Sequence, residues 1–242
     1  MKSNCWASIL GDCGRGRSRE HYISDGIIDD ESVIVFGLPW CRDKPVTIGI
    51  KNAVAKILCG THNSALSEFD AEAAKLKKFL INNVYAPPRT GTKITLNGFL
   101  LEKWALKTFV NLGYIGGLNL EQSKRLEPNE QIVRYLFRNE AIADGVGLYF
   151  VSGKVNDENY RAGLTWDALI NPKNPAEVFG MTFAFHGLRF VISIPQGHAE
   201  KKIARLGLVK GVDYSNAKII YRPPNVSLRS GTGELREIDL QW

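Results

Sequence analysis

Four side chains of the kind that bind zinc occur in two short segments of this sequence. Cys5 and Cys13 lie near its start, and Cys59 and His62 follow further on with two residues between them. Structural zinc takes four sulfur or nitrogen ligands in a tetrahedron, usually supplied as two local pairs. One ion held by both pairs would pin two distant stretches of backbone together. The spacing therefore predicts a zinc site of three cysteines and one histidine, and no other feature of the sequence restricts the fold as much.

Cys41, the remaining cysteine, could replace one of these ligands, although we expect it to be a small buried side chain. The interval between Cys5 and Cys13 is wider than in most zinc pairs. The alternative is that all the cysteines are ordinary core residues. The first residues lack the apolar segment of a secretory signal, so we expect a cytosolic protein, in which disulfides are rare. Metal binding is then the stronger interpretation of the cysteines.

The composition of the 242 residues indicates a folded protein that does not span a membrane. Hydrophobic residues make up 44% of the chain, which is enough for a core and too many for a disordered protein. No apolar run reaches the roughly 18 residues that a bilayer requires. The net charge of +6 suits a polyanionic partner, although many proteins without one carry a similar charge.

Short β-branched segments and longer periodic segments alternate along the chain, which predicts an α+β fold. Residues 32–36 and 46–50 are typical of strands, and residues 64–84 of an amphipathic helix. Residues 86–91 contain two prolines and a glycine that interrupt this pattern. We therefore predict a boundary there, between domains of residues 1–85 and 92–242. The elements predicted beyond it are helices 99–112 (with Trp104 in the core), 129–142 and 198–206, strands 147–151, 163–169, 178–185 and 188–194, and an irregular tail.

Three residues beside the predicted zinc ligands suit a second, catalytic metal. Glu20 precedes His21, and Asn63 directly follows the predicted ligand His62. A neutral imidazole can take a proton from water, and carboxylate and amide oxygens are ligands that Mg²⁺ prefers. Such an ion can stabilise the charge that develops during cleavage of a phosphodiester. The alternative is a surface glutamate, a packed histidine and an asparagine that caps a helix.

Basic residues are concentrated next to the same segments. Arg15, Arg17 and Arg19 alternate with small residues just before the Glu-His pair, and Lys75 lies on the predicted helix. Guanidinium and ammonium groups bind phosphate oxygens, so these four side chains are predicted to contact the backbone of a nucleic acid. The alternative is a solvated turn whose charges serve solubility.

The order Cys…Cys…Glu-His…Cys-x-x-His-Asn resembles the HNH nucleases of the ββα-metal (His-Me finger) superfamily, and their zinc-stapled branch in particular. The resemblance covers residues 5–82, about a third of the chain. It implies an N-terminal zinc-stapled ββα-metal finger followed by a mixed α+β domain. It also implies that His21 is the general base and that Glu20 and Asn63 bind Mg²⁺ or Mn²⁺. The segment between His21 and Cys59 is longer than a minimal hairpin needs, so this finger carries an insertion.

The function implied by the resemblance is metal-dependent hydrolysis of phosphodiester bonds in nucleic acid, DNA rather than RNA, leaving a 5′-phosphate. Residues 92–242 would select the target, or bind a partner protein or a second copy of the chain. A role in restriction or anti-phage defence is implied by the resemblance alone. A rival interpretation is a catalytically inactive, zinc-bound module that binds nucleic acid. A third is a protein without a nucleic-acid partner, whose C-terminal sheet binds a small ligand.

Overall fold

The computed structural model describes residues 4–28, 32–36, 38–82, 93–118, 125–152, 164–171, 174–185, 187–195, 218–229 and 235–242. Over these residues the protein is a mixed α+β structure, which confirms the predicted fold class at that level. The predicted domain boundary at 86–91 and the predicted helix 198–206 lie outside the described residues. In the segments that the structure describes, none of the helices combines the length and the apolar character needed to cross a bilayer.

Two pairs of antiparallel strands, one nested inside the other along the chain, form the N-terminal part. Its elements are, in chain order, β1 (Arg17–His21), β2 (Ser32–Val35), β3 (Val46–Gly49), β4 (Val54–Cys59), α1 (Gly60–Ser64) and α2 (Ser67–Leu80). The outer pair is β1 with β4, and the inner pair is β2 with β3. The β2–β3 hairpin therefore lies within the insertion that the sequence predicts, and α1 begins directly after β4.

The predicted elements of this part are confirmed, with one break in the helix. The two strands predicted at 32–36 and 46–50 agree with β2 and β3 to within a residue. The helix predicted at 64–84 starts later, because a turn at Ala65 and Leu66 separates α1 from α2. Along α2, Phe69, Ala73 and Leu76 are buried, which is the apolar stripe expected from the sequence.

Two sheets and two helices make up the C-terminal part. The elements are β5 (Lys93–Asn97), α3 (Gly98–Tyr114), α4 (Glu130–Arg138), β6 (Gly147–Ser152), β7 (Leu164–Asn171), β8 (Asn174–Phe185), β9 (Leu188–Ser193), β10 (Lys218–Tyr221), β11 (Asn225–Arg229) and β12 (Leu235–Gln241). One sheet is antiparallel, in the order β10-β6-β9-β8-β7. The other has the order β11-β12-β5, in which β5 runs parallel to β12.

The prediction of an irregular tail was wrong, because the last part of the chain contributes β10, β11 and β12. Along β12, Arg236, Ile238 and Leu240 are buried and the residues between them are less so. This alternation is typical of a strand with one buried face. A buried arginine on the inner face hides the pattern in the sequence, since arginine is counted as polar.

Helix α3 is the central element of the described structure. The side chain of Asn97 caps its start by accepting the N–H of Leu100 (3.0 Å), and all but two of its 17 residues are buried. Trp104 lies in the core, as predicted. The helix contacts α2 as well as strands of both C-terminal sheets. One cluster of buried apolar side chains consequently continues through the described residues on both sides of 83–92.

Glu102, on α3, is fully buried and binds four hydrogen-bond donors. Its Oε1 accepts the hydroxyl of Tyr135 (2.5 Å) and Nη2 of Arg222 (2.8 Å), while its Oε2 accepts Nε of Arg222 (3.0 Å) and the N–H of Leu148 (2.8 Å). A bidentate guanidinium is the best partner for a buried carboxylate. This carboxylate therefore joins α3, α4, β6 and the residue that follows β10.

Substitution of Gly147 by alanine tests that network. Gly147 has a φ of 133°, a conformation that favours glycine, and a Cβ there would overlap the carboxylate of Glu102. We expect Gly147→Ala to lower the free energy of unfolding by about 2–3 kcal/mol, measured by urea denaturation. The control is Gly26→Ala, whose Cβ would meet Ala74 at an ordinary 3.4 Å and should change stability by less than about 1 kcal/mol. Equal stability of the two variants would contradict this account of Glu102.

Candidate metal centre

The four predicted zinc ligands lie together. The ligand atoms of Cys5, Cys13, Cys59 and His62 are all within 4.8 Å of one another. Nδ1 of His62 lies 3.1, 3.4 and 3.9 Å from the Sγ atoms of Cys59, Cys5 and Cys13, respectively. Tetrahedral zinc bonds of about 2.3 Å to sulfur and about 2.0 Å to nitrogen place such ligands roughly 3.5 Å apart. The cluster therefore fits a metal ion such as zinc, bound through Nδ1 of the histidine.

Backbone hydrogen bonds attach the first ligand segment to β4. The N–H of Trp6 donates to the carbonyl of Ile57 (3.0 Å), and the N–H of Gly60 donates to the carbonyl of Gly16 (2.9 Å). One end of the segment that carries the first two cysteines is thus bonded to β4, and the other end is bonded to the residue that follows β4. The juxtaposition of the two ligand pairs follows from this pairing.

The wide interval between Cys5 and Cys13 also has a structural explanation. The chain makes a short 3₁₀ helix there (Ser8–Leu10), which ends at Gly11 with a φ of 78°. A left-handed residue of this kind reverses the chain direction and suits glycine. The extra turn returns the chain to the cluster, so the spacing is compatible with a shared ion.

The second pair occupies the junction between a strand and a helix. Cys59 ends β4 and is the N-cap of α1, and its Sγ accepts the N–H of His62 (3.5 Å). Burial opposes ionisation of Cys59, but hydrogen bonds from the N–H groups of His62 and Gly14 and from the neighbouring thiols outweigh it, and the pKa of Cys59 is lowered. Burial raises the pKa of Cys5 to about 12. A cation is therefore needed for Cys5 to contribute a thiolate.

Asp12 and two residues of α4 surround the imidazole of His62 and were not anticipated from the sequence. Nε2 of His62 lies 2.9 Å from Oδ1 of Asp12, an ion-pair distance, although the two atoms do not form an aligned hydrogen bond. Asp12 also binds Arg138, and this hydrogen bond is the main reason that the pKa of Asp12 is lowered. The ring of Phe137 packs edge-on against the imidazole, and the two ring centroids are 4.8 Å apart. In metal sites, the second ring nitrogen of a ligating histidine typically contacts a carboxylate. In the sequence, only the position of Asp12 next to Cys13 indicated this role for Asp12.

Asn63 contacts β1 through its side-chain amide. Its Nδ2 donates to Oγ of Ser18 (2.7 Å) and to the main-chain oxygen of Arg19 (3.4 Å). These bonds orient the amide, and its Oδ1 accepts no hydrogen bond from the described residues. The first residue after the zinc ligands is therefore held against the strand that ends in His21.

His21 is the last residue of β1 and pairs with Val54 of β4. Its Nδ1 is buried and has no hydrogen-bond partner within the described ranges. The main-chain oxygen of His21 accepts Nδ2 of Asn111 (3.3 Å), so α3 fixes the end of the strand while the ring stays without a polar partner at Nδ1.

Glu20 points into the core. It is 5% exposed, and its Oε1 lies 2.9 Å from Nζ of Lys107 and 3.1 Å from Nδ2 of Asn111. Neighbouring residues of a strand project to opposite faces, which turns Glu20 inward between Arg19 and His21. Burial raises the pKa of Glu20 and the ammonium of Lys107 opposes that rise. The carboxylate of Glu20 therefore contacts Lys107 and Asn111, and among the described residues no hydrogen bond joins it to Asn63.

Lys107, which contributes the counterion, joins two carboxylates. Its Nζ lies 2.6 and 2.8 Å from the carboxylate oxygens of Asp70, in addition to its contact with Glu20. Asp70 also accepts Oγ of Ser24, which in turn accepts Nε1 of Trp104 (2.9 Å). Helix α3 thus supplies one ammonium to β1 and α2. These ion pairs of Lys107 could not be predicted from the sequence, because no local pattern pairs a lysine with acids so far away in the chain.

Loss of this ammonium is expected to be costly. Lys107→Met leaves Glu20 and Asp70 with no cation between them, and breaking a buried pair in this way costs about 3–5 kcal/mol of unfolding free energy. Adding Glu20→Gln should recover part of the loss, which a double-mutant cycle in urea would measure. The matched control is Lys103→Met on the same helix, because Lys103 binds the neutral side chain of Asn139. Equal losses for Lys107→Met and Lys103→Met would contradict the ion pair.

The predicted phosphate-binding residues divide into two groups. Arg15, Arg17 and Arg19 are exposed and form no ion pair within the described segments. Lys75 is exposed on α2, but its ammonium binds Glu72 at 2.8 Å, so its charge is partly compensated. Lys56, exposed on β4, adds a cation that was not predicted. Free positive charge thus lies on β1 and β4 and in the segment just before β1.

Cys41 is buried and is not part of the metal cluster that the described residues form, as expected.

Comparison of the chain with protein-family models, with curated proteins and with solved structures finds no significant match.

Proposed function

We propose that this protein is a zinc-stapled endonuclease that hydrolyses phosphodiester bonds in nucleic acid, DNA in preference to RNA. The observation that carries the proposal is the cluster of Cys5, Cys13, Cys59 and His62, in the ligand order of the zinc-stapled ββα-metal nucleases. The ion would bind where β4 meets α1. It would hold these elements against β1, which ends in His21. Three thiols that must remain reduced to bind the ion suit a cytosolic protein.

His21 is the proposed general base. Removal of a proton from the attacking water requires an accessible nitrogen that is not already bonded elsewhere. Nδ1 of His21 is buried but the residue is partly exposed, so Nε2 is the nitrogen that would take the proton. Arg19 lies two residues earlier on β1 and therefore projects from the same face of the strand. Its exposed guanidinium would bind the phosphate whose bond is cleaved.

Mg²⁺ or Mn²⁺ is the catalytic ion implied by the resemblance, and it would stabilise the charge on the scissile phosphate. Oδ1 of Asn63 is available as a ligand. The carboxylate of Glu20, the other implied ligand, instead contacts Lys107 and Asn111. Binding of the ion by Glu20 would therefore compete with this ion pair.

That contact between Glu20 and Lys107 favours a second candidate function, a zinc-bound module that binds nucleic acid without cleaving it. A degenerate finger would keep its zinc cluster for stability and its arginines for binding. Its acidic residue would then serve as a buried structural group. The two candidate functions share the zinc ion and the basic surface and differ only in catalysis.

Incubation of supercoiled plasmid with the protein separates the two functions. The nuclease should convert the plasmid to open circles with Mg²⁺ or Mn²⁺, and not without an added divalent ion, leaving 5′-phosphates that ligase can rejoin. His21→Ala, purified in the same way, measures contaminating nucleases. Absence of cleavage of plasmid, single-stranded DNA and RNA, together with salt-dependent binding, would favour the second candidate. Absence of both binding and cleavage would overturn both candidate functions.

A further inference from the structure

Large apolar side chains are exposed on the insertion between β1 and β4. Ile34, Phe36 and Trp40 have exposed fractions of 75%, 60% and 53%, respectively. Ile34 and Phe36 are two residues apart and so share one face of the β2 strand and its extension, whereas Val35 between them is buried. We call residues 32–49 the arm. Its exposed face is apolar where a solvent-facing hairpin normally carries polar residues.

The exposure of these side chains is imposed by buried anchors in the same loop. Leu38 is fully buried and packs against Gly117, just beyond α3, where even a Cβ would lie 2.6 Å from the leucine. Cys41 is buried as well, and its N–H donates to the carbonyl of Leu38 (2.9 Å). Trp40 lies between these anchors and points outward. The tryptophan is therefore presented by a fixed turn.

The arm lies beside the proposed catalytic strand. Tyr22, the residue after His21, is buried, and burial together with the nearby Cys41 raises the pKa of Tyr22 to about 12. Cys41, the residue after Trp40, thus lies near the residue that follows the end of β1.

Exposed cations lie on β1, on β4 and on the arm. Arg17, Arg19, Lys51 and Lys56 are exposed and form no ion pair within the described residues, and the same holds for Lys44 on the arm itself. Asp43 is the one exposed acid among residues 38–49. An apolar partner protein would not require this charge. Two copies of the arm in a symmetric dimer would bring their own cations together.

We propose that the arm binds unpaired nucleobases, with Trp40 and Phe36 stacking on the bases while the neighbouring cations bind the phosphates. The inference rests on the proposed function, because it specifies the substrate as nucleic acid with a single-stranded or junction segment. Exposed aromatic rings in a basic groove are the usual means of binding single strands, since every base has a face that can stack. A duplex presents no such faces, so Trp40 should contribute little to duplex binding.

The test measures binding of a fluorescein-labelled oligo(dT) of 20 nucleotides and of a 20-base-pair duplex, without added divalent ions. Trp40→Ala should weaken binding of the single strand about tenfold or more and change duplex binding less than about twofold. Trp40→Phe should keep most of the affinity, because the stacking face remains. The control is Ile220→Ala, which removes an exposed apolar residue from β10. Circular dichroism of each variant checks that the fold is intact.

Intrinsic fluorescence gives an independent measurement. Trp6 and Trp104 are buried and Trp40 is the most exposed of the five tryptophans, so oligo(dT) should quench the wild type and not Trp40→Phe. Equal single-strand affinity for the wild type and Trp40→Ala would overturn the proposal. So would a wild-type dimer that Trp40→Ala dissociates, since the arm would then cover a second copy. If no cleavage occurs with any ion but binding depends on Trp40, the nuclease assignment fails and the arm proposal stands.

Discussion

Replacement of Cys59 by serine is expected to abolish zinc binding and to remove about 5 kcal/mol or more from the free energy of unfolding. Structural zinc contributes roughly 10–16 kcal/mol of apparent binding free energy in small zinc peptides, and a typical domain has only about 5–15 kcal/mol of net stability. Cys59 belongs to the Cys/His cluster and also caps α1. Its loss leaves Cys5 and His62 buried without the ion, so the N-terminal part should lose its cooperative unfolding transition.

Cys41→Ser is the matched control for this prediction. Cys41 is as buried as Cys59, but it lies outside the cluster that the described residues form. Elemental analysis should find one zinc per chain in the wild type and in Cys41→Ser, and none in Cys59→Ser. Urea denaturation followed by circular dichroism measures the accompanying change in stability. Retention of a full equivalent of zinc by Cys59→Ser, at wild-type stability, would refute the assignment of the site.

His21→Ala is expected to slow cleavage about 10²–10⁴-fold, the usual contribution of a general base. Stability should stay close to that of the wild type, because the ring leaves no described partner unsatisfied at Nδ1 when it is removed. The main-chain oxygen of His21 remains available to Asn111, so the end of β1 keeps its position. Affinity for uncleaved DNA should therefore be unchanged, and the loss should be in the rate of the chemical step.

Chemical rescue distinguishes a general base from a structural residue. Added imidazole should restore part of the activity of His21→Ala, whereas it should not affect a variant that is merely misfolded. His186→Ala, a histidine substitution in the C-terminal half of the chain, is the control and should cleave at the wild-type rate. Cleavage by His21→Ala at the rate of the wild type would exclude His21 as the base, even with the zinc site intact.

The position of Glu20 shows where reasoning from the sequence reached its limit. Its place before His21 suggested a metal ligand, and the pattern of neighbouring residues contained nothing against that interpretation. The carboxylate is instead paired with Lys107, a residue on a helix that follows much later in the chain. Strand alternation turns Glu20 inward, but which group meets it there depends on how α3 packs. The same applies to Arg138, which reaches Asp12 from α4.

The sequence by itself determined the four residues of the Cys/His cluster, the main helices and most of the strands, because ligand spacing and hydrophobic periodicity are properties of neighbouring residues. The strand character of the tail was missed where a buried arginine interrupted that periodicity. Only the tertiary structure decided that Glu20 faces Lys107, that Asn63 binds β1, and that Trp40 is held outward between two buried anchors. Each of these depends on contacts between residues far apart in the chain. Such contacts form only when the elements pack against one another. For Glu20 the packing must also supply a partner, because burial of a charged group without one is too costly.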